Sequence, residues 1–511
     1  MAKTIFEPQT QIPVYDECDV LVVGGGAAGH SAAVAAARAG CKNVILMERY
    51  GYCGGDVTGG FVLYVPNLSF HNMTYVRGIQ EEWFTRLKKI PGAVSGPGME
   101  LAGSRSKLLM REHPGATTRV KPEMLCHSFN VEPNQLKIEM DIMLDELKDS
   151  IRVMYHSWGV KPIMEGNVCK GVFFESKEGR KAVLAKVVID ATGDADICRL
   201  SGAPTTSSLD DECRCGSTAL VYRIGGFSVR EYRYWRLQNP ELAKELSDGV
   251  TKIHGFRAMI GGSNDDSICI CPNWIPKKDC STVKDSTITE LGTRIKIREV
   301  LDWYKTMCPI IFKDAFLYDI APQMGTRGSH RIVGEYVISK DDWAFPKQFD
   351  DTIAWHCTVE TLNDNAPIEI PYASILTQKV DNLLAPGRHI SADKIAIDNV
   401  NLIPQCVGTG QAAGVAAAVA VAQGQTAHTV DIKRVQDILA GEQDVPLPRN
   451  EHTDKAYMDC LVEHEYGLYT EPAKAAIAKG EAGEYRHWSI TKGGGDPNKK
   501  GGSNGGVEIE M

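Results

Sequence analysis

Gly24, Gly26 and Gly29, followed about 20 residues later by Glu48, are the first residues whose types and spacing could do chemistry. Glycines so spaced let a backbone approach a pyrophosphate. The amides and dipole of a helix opening there stabilise the negative charge, and the later carboxylate accepts hydrogen bonds from ribose hydroxyls. Glycine spacing alone also fits a tight structural turn. A second group is Arg327-Gly-Ser-His330-Arg331, two guanidinium groups and an imidazole within five residues. It suits an anionic or carbonyl-bearing substrate, with His330 able to pass a proton near neutral pH. An ion-pair cluster at a surface or interface is the bland reading. Third, Cys213, Cys215, Cys269 and Cys271 form two Cys-x-Cys pairs, with Cys280 close in number. Four thiolates could hold an iron–sulfur cluster or zinc if folding joined the pairs. The spacing fits neither the common ferredoxin pattern nor a Cys-x-x-Cys knuckle, and unpaired thiols on adjacent strands are the alternative. His71, His113, His127, His156, His254 and His356 are isolated and read as structural or surface histidines; His389, directly after Gly387-Arg388, is the exception.

The elements around the glycines decide between the two readings of them. The apolar, β-branched run 19–23 predicts a strand entering Gly24, an alanine-rich helix over 32–39 ends at Gly40, and a second strand, 43–47, delivers Glu48. This is a βαβ unit, parallel and right-handed. Apolar spacing predicts a helix over 135–150. Strands are expected at 168–175 and 182–185, and a third, 186–190, runs into Ala191-Thr192-Gly193-Asp194 like a hairpin rejoining the first sheet. Residues 216–368 carry more aromatics and charges and no repeat of the βαβ pattern, which predicts a separate lobe. The chain then returns to a strand at 380–384, to Pro386-Gly387-Arg388, and to a small-residue helix over 408–423. The stretch 492–506 is rich in glycine, asparagine and lysine and cannot bury a core by itself.

The chain's 511 residues exceed the ~150 of a typical domain. With 43% hydrophobic and 24% charged residues it reads as globular, and disordered or collagen-like classes are excluded. A net charge of −9 without a basic stripe disfavours a nucleic-acid partner. The most apolar run, 412–422, is roughly half the ~20 residues needed to span a bilayer, so no membrane partner is expected. Residues 1–16 lack a basic region followed by an apolar stretch. Fifteen scattered cysteines fit thiols kept reduced, so a cytoplasmic location is expected.

The segment 48–58, Glu48-Arg-Tyr-Gly-Tyr-Cys-Gly54-Gly55-Asp-Val-Thr58, makes a resemblance specific. With 189–196, 325–334, 382–393 and 408–414 it resembles, over roughly residues 17–440, the FAD-dependent oxidoreductase family of the glutathione-reductase-type flavoproteins. That family is distantly similar to succinate dehydrogenase and fumarate reductase flavoprotein subunits. The resemblance implies an α/β fold: a Rossmann-like FAD-binding domain, with a central parallel sheet, helices and a β-meander, plus a second α+β substrate lobe. The expected divisions are 15–215 and 369–445 for the FAD domain, 216–368 for the lobe and 446–511 for a C-terminal extension. It implies FAD contacts at Gly24, Gly26, Ala27, Ala28, Gly29, Glu48, Arg49, Gly54, Gly55, Thr58, Ala191, Thr192, Gly193, Asp194, Gly387, Arg388, Asp393, Gly410, Gln411 and Ala412. A helix N-terminus around Gln411 and Ala412 would stabilise negative charge on the reduced ring; a small-residue packing helix is the other reading. Pro386 departs from the family by removing one backbone donor. Cys53 departs by replacing a larger apolar residue: its thiol would face or bond to the flavin, or act as a small hydrophobe.

The expected activity is hydride transfer between flavin N5 and a small polar or anionic substrate between the two lobes. Arg327 and Arg331 would clamp it and His330 would be the acid or base. The alternatives are a flavin electron-transfer subunit with an iron–sulfur centre or redox partner, and a non-catalytic nucleotide-binding assembly protein. A homo-oligomer fits any of them.

Overall fold

The computed structural model describes residues 4–66, 68–70, 73–74, 76–113, 116, 124–210, 217–255, 258–262, 267–272, 275–276, 278–339, 341–344, 347–357 and 367–453. The tail 492–506, Cys213, Cys215, His71 and most of the expected C-terminal extension lie outside them.

The chain opens with β1 (Val14–Val23), α1 (Ala27–Arg38) and β2 (Val44–Met47), the βαβ unit expected from the sequence. Helix α2 (Pro133–Asp145) leads to β3 (Ile151–Met154), and β4 (Trp158–Glu165), β5 (Val168–Ser176) and β6 (Gly179–Asp190) form an antiparallel meander. The sheet runs β3-β2-β1-β6-β5-β4. Its β3, β2, β1 and β6 members are mutually parallel, with Val20 opposite both Val44 and Val187. The strands expected at 182–185 and 186–190 are one, because Ala185 and Lys186 continue the pairing with β1 without a break.

Side-chain alternation gives the sheet two buried faces. Val20, Val22, Val44 and Leu46 pack with the alanines of α1, whereas Leu21, Val23, Ile45 and Met47 face Val172, Val183 and Val188. Each such aliphatic side chain contributes about 1.5–3 kcal/mol when fully buried.

The middle of the chain builds a separate antiparallel sheet from β7 (Tyr222–Gly225), β8 (Ala258–Gly262), β9 (Ser267–Pro272) and β10 (Phe316–Ile320), in the order β8-β9-β7-β10. It has its own core, in which Tyr222, Ile224, Ile268 and Ile270 meet Val250, Val300, Tyr304 and Phe312. The chain then returns through β11 (Leu383–Leu384), which pairs parallel with β6, and α3 (Ile403–Gln423), which packs along α1.

Helix α3 begins five residues earlier than the expected 408, since Pro404 sits in its first turn, where a proline costs no hydrogen bond. It is long and apolar enough to cross a bilayer by length and composition, but 78% of its most apolar window is buried inside the protein. Gly410 and Gly414 explain how two alanine-rich helices come so close: a Cβ at either would lie 2.2 Å from the Ala28 oxygen or 2.1 Å from the Ala32 oxygen.

Candidate cofactor and active site

Parallel strands end at one edge, so the loops leaving β1, β2, β3 and β6 gather there, the crevice where open α/β sheets bind ligands. The loop after β1 and the loop after β6 touch. Gly24 has φ +100, and a Cβ on it would lie 2.4 Å from the Ala191 carbonyl oxygen, so only glycine fits. Gly29 is equally constrained, with a Cβ position 1.7 Å from the Gly24 oxygen. Around them runs a groove that is partly open to solvent. It is lined by Gly24, Gly26, Ala27, Ala28, Glu48, Arg49, Gly54, Gly55, Ala191, Thr192, Gly193, Gly387 and Arg388. Sequence-expected contacts from four distant segments thus meet in one place.

The groove's chemistry comes from its edges. Gly26 caps α1 without a side-chain hydrogen bond and the first turn holds no acid, so the amides that open the helix face an anion's place with no competing carboxylate. Glu48 accepts from the Gly25 amide (2.6 Å) through Oε2 and from the Tyr50 amide (2.8 Å) through Oε1. Burial pushes its carboxyl up and the two amides pull it back. Each oxygen keeps a lone pair for a ribose hydroxyl. The Arg49 guanidinium lies 4.8 Å from the Tyr50 ring centroid and 5.6 Å from that of Trp158.

Arg388 ties the far wall together. Its Nε donates to the Gly193 carbonyl (2.8 Å), Nη1 to Asp56 (2.9 Å) and Nη2 to Asp194 (3.0 Å). Burial raises the Asp56 carboxyl, partly offset by Arg388; at Asp194 burial is outweighed by Arg388 and the Ser329 amide, which hold the carboxyl low. Asp190 organises the same loop, accepting from the Thr192 amide and hydroxyl and from the Cys198 amide. Gly387 donates to Thr409 Oγ1 (3.1 Å), which fastens the returning segment to α3.

Several expected contacts have other duties. Gln411 and Ala412 lie more than two turns inside α3, so their amides belong to the helix ladder. Gln411 accepts from the Ile79 amide and donates to Gln443. The residues of the helix start that line the groove are Asn401, Ile403 and Cys406. Gly410 serves the α1 contact. Asp393 accepts from the Ile395 and Ala396 amides and fixes its own turn. Thr58 donates to the Cys53 carbonyl and closes the 53–58 turn.

Cys53 is fully buried beside Tyr155 (3.5 Å) and does not line the groove; burial pushes its thiol up, which fits the small-hydrophobe reading. His389 donates through Nε2 to the Asp190 carbonyl (3.0 Å), a tie between the loop after β11 and β6. Arg331 is buried, donates through Nε to the Ala392 carbonyl (2.7 Å) and is absent from the groove lining. Arg327 and His330 are half-buried beside it and are absent from the groove lining. Their turn is anchored where the Ser329 amide donates to Asp194 (2.8 Å).

Cys269 and Cys271 lie on β9, and Cys280 donates to Asp194 (3.6 Å). Burial raises the Cys271 thiol to about 12, which opposes the thiolate a metal needs. Among the described residues, the side chains grouped closely enough to share a metal ion are Asp437, Glu451 and His452, without a cysteine.

Sequence reasoning missed Tyr50, Asp56, Ser157 to Gly159 and Gln323 in the lining. The signal for 157–159 was available: β3 is a parallel neighbour of β2, and the loop leaving a parallel strand reaches the same crevice.

A glycine cradle at the carboxyl edge of a mixed α/β sheet, with an uncapped helix N-terminus and an acid after the second strand, defines a dinucleotide-binding protein of the Rossmann type. The chain belongs to the FAD dependent oxidoreductase family, whose sequence profile matches residues 19–439, so its cofactor is FAD. Over 61 residues it is 48% identical to urocanate reductase of Eggerthella lenta, a match covering 12% of this chain and 10% of that protein. The chain therefore spans about a tenth of the length of the curated relative it matches. Among solved structures, it is similar to a geranylgeranyl bacteriochlorophyll reductase-like protein from Thermoplasma acidophilum (TM-score 0.41, 14% identity, 90% of this chain and 99% of that one). It is also similar to p-nitrophenol 4-monooxygenase from Pseudomonas putida DLL-E4 (TM-score 0.43, 10% identity, 93% and 94%).

Proposed function

We propose that this oxidoreductase transfers hydride between flavin N5 and a small polar or anionic organic substrate held on the side of the groove facing the second lobe. The observation that carries the reading is Gln323, which comes just after β10 of that lobe and yet lines the groove with the glycines of the first sheet. Its backbone N–H donates to the Gly59 carbonyl (3.2 Å), so the lobe meets the loop that continues the cofactor cradle. The likeness of the 48–58 segment to glutathione-reductase-type flavoproteins, and the 61-residue match to a reductase, support redox chemistry on an organic substrate.

FAD, when bound, supplies the two-electron acceptor or donor. The amides opening α1 bind its diphosphate, Glu48 orients a ribose, and the Arg388 bridge holds the 54–56, 193–194 and 387–388 segments in register around it. Pro386, Ile403 and Cys406 exclude water from the returning wall. We assign proton transfer to His330, which stands outside the groove lining on the turn that the Asp194 carboxylate anchors next to Arg388, with its Nδ1 3.1 Å from Ser329 Oγ.

The test is an anaerobic one on FAD-loaded protein. Bleaching of the yellow flavin is followed with organic donors, and reoxidation of photoreduced protein with organic acceptors. The reading predicts stoichiometric change with a small polar or anionic compound in one direction. A flavin that answers to none while exchanging electrons rapidly with a redox protein would replace it with the electron-transfer reading.

A further inference from the structure

The interlobe side of the site holds a cluster of charged and aromatic side chains with no part in cofactor binding or proton transfer. Arg223 on β7 is fully buried and spent: it is paired with Glu132, the residue that opens α2, and with Asp319 on β10. Beside it stands Lys137 of α2. Its Nζ lies 4.3 Å from the centroid of the Tyr52 ring and 3.4 Å from Asn134 Oδ1. Among the described residues, no carboxylate comes within ion-pair distance of this half-buried ammonium. Tyr52 stacks on Tyr50, a groove residue, with rings 5.5 Å apart, and donates through Oη to Gln323 Oε1 (3.2 Å). That bond uses the oxygen of Gln323 and leaves its Nε2 without a protein partner among the described residues. Phe61 stands next to the same place, buried and at φ +55, a conformation that a bulky residue adopts only when its surroundings impose it. Its ring centroid lies 5.1 Å from the Arg223 guanidinium carbon.

We infer that Lys137 and Gln323, joined through Tyr52, form an anion subsite that takes the carboxylate of the organic substrate. The inference rests on the hydride-transfer reading and adds to it the substrate class and the residues that select it. An ammonium taken partly out of water whose contacts are one long hydrogen bond to a neutral amide oxygen and an aromatic face has lost hydration that these only partly replace, and a carboxylate restores it. Burial lowers the Lys137 pKa in keeping with that loss, opposed by Asp319 and Glu132 and aided by Arg223. The neighbouring Arg223 cannot do the same work, because two carboxylates already neutralise it. An amide donor at the groove wall supplies the second hydrogen bond that fixes a planar acid's orientation.

The experiment uses FAD-loaded full-length protein titrated with benzoate and succinate, with benzamide as the neutral control, and reads the visible difference spectrum of the bound flavin. The expected result is a saturable perturbation by at least one carboxylate and none by benzamide. Lys137→Met should weaken it at least tenfold, and Lys137→Arg should stay within about threefold of the parent, as expected for a charge-assisted contact. Gln323→Leu is the second variant, expected to weaken the carboxylate with Lys137 intact. Equal binding to parent and Lys137→Met, equal binding of benzamide, or no perturbation by either carboxylate overturns the subsite. Thermal unfolding of each variant separates a lost contact from a lost fold. Failure of the hydride reading is distinct: carboxylates would still bind through Lys137 while no organic compound reduced or reoxidised the flavin.

Discussion

Arg388 is the side chain whose removal changes most in the groove. It separates two carboxylates, Asp56 and Asp194, that would otherwise face each other unpaired on a part-buried wall of the groove. All three side chains are part-buried, so removing the cation leaves two carboxylates without compensation in a wall that solvent screens only in part. Arg388→Met is therefore expected to lower the unfolding temperature of the protein and to weaken FAD at least tenfold, measured by fluorescence of the released flavin. Adding Asp56→Asn to Arg388→Met should recover part of both losses, since one of the stranded charges is gone. Arg331 belongs to the same short motif as His330 but answers to a different test. Its Nε bond to the Ala392 carbonyl leaves a buried acceptor behind when lost, a cost of about 1–3 kcal/mol. Arg331→Met should lower the unfolding temperature with KM unchanged, whereas a substrate clamp would raise KM in a fully stable protein. The motif drew attention by its composition, and composition does not say which way a side chain points.

At the scale of elements, the contact of α1 with α3 joins packing to binding. Gly410 and Gly414 occupy equivalent places along it, but Gly410 meets Ala28, which lines the groove, and Gly414 meets Ala32, which does not. Forcing a methyl into either contact is overpacking, typically about 1–3 kcal/mol. Gly410→Ala and Gly414→Ala should therefore both destabilise the protein to chemical denaturation, while Gly410→Ala alone weakens FAD. The same helices show how much the sequence disclosed. Strand, glycine, helix, strand and acid succeed one another over residues 19–48, and each local preference agrees with the fold, so β1, α1, β2 and Glu48 were legible from pattern alone. The start of α3 was not. Gly408 looked like a boundary, but it lies inside the helix, where a Cβ would only touch Ala354 at 3.5 Å; the glycines that a neighbour forces are Gly410 and Gly414. The orienting role of Asp190 and the bridge from Arg388 to Asp56 were hidden for different reasons. The bridge joins positions 332 residues apart, and Asp190 acts largely on backbone amides; neither leaves a spacing to read. Gln323 lay in a lobe without a periodic signature, and only the folded chain brings it against Gly59.

Across the whole molecule, Asp196 couples the acidity of the medium to the stability of the cofactor-free fold. It lines the groove at the start of the helix Asp196–Ser201. Burial, with Asp194 and Asp190 close by, raises its carboxyl from 3.8 to about 7, and Arg199 and Arg49 only partly oppose that. In the unfolded chain the same carboxyl ionises near its ordinary value, so between about pH 4 and 7 the folded state binds more protons than the unfolded state. Stability from this group is then greatest at low pH and falls as pH rises, flattening above about 7 once both states are ionised. The sign is opposite to that of a salt-bridged carboxylate. Asp196→Asn carries no such charge, so the cofactor-free variant should unfold at the higher temperature of the two, with the gap widening from pH 5 to 7 and constant above. FAD brings two more negative charges to the same groove, and an ionised Asp196 opposes them. Binding to the parent should weaken as pH passes 7, and the variant should lose that dependence. Calorimetry of cofactor-free parent and variant across pH 5–9, with flavin titrations at the ends of the range, measures both. A gap that stays constant across pH 5–9 would mean that Asp196 is ionised in the folded groove throughout, stabilised by Arg49 and Arg199 more strongly than burial and its acidic neighbours oppose it.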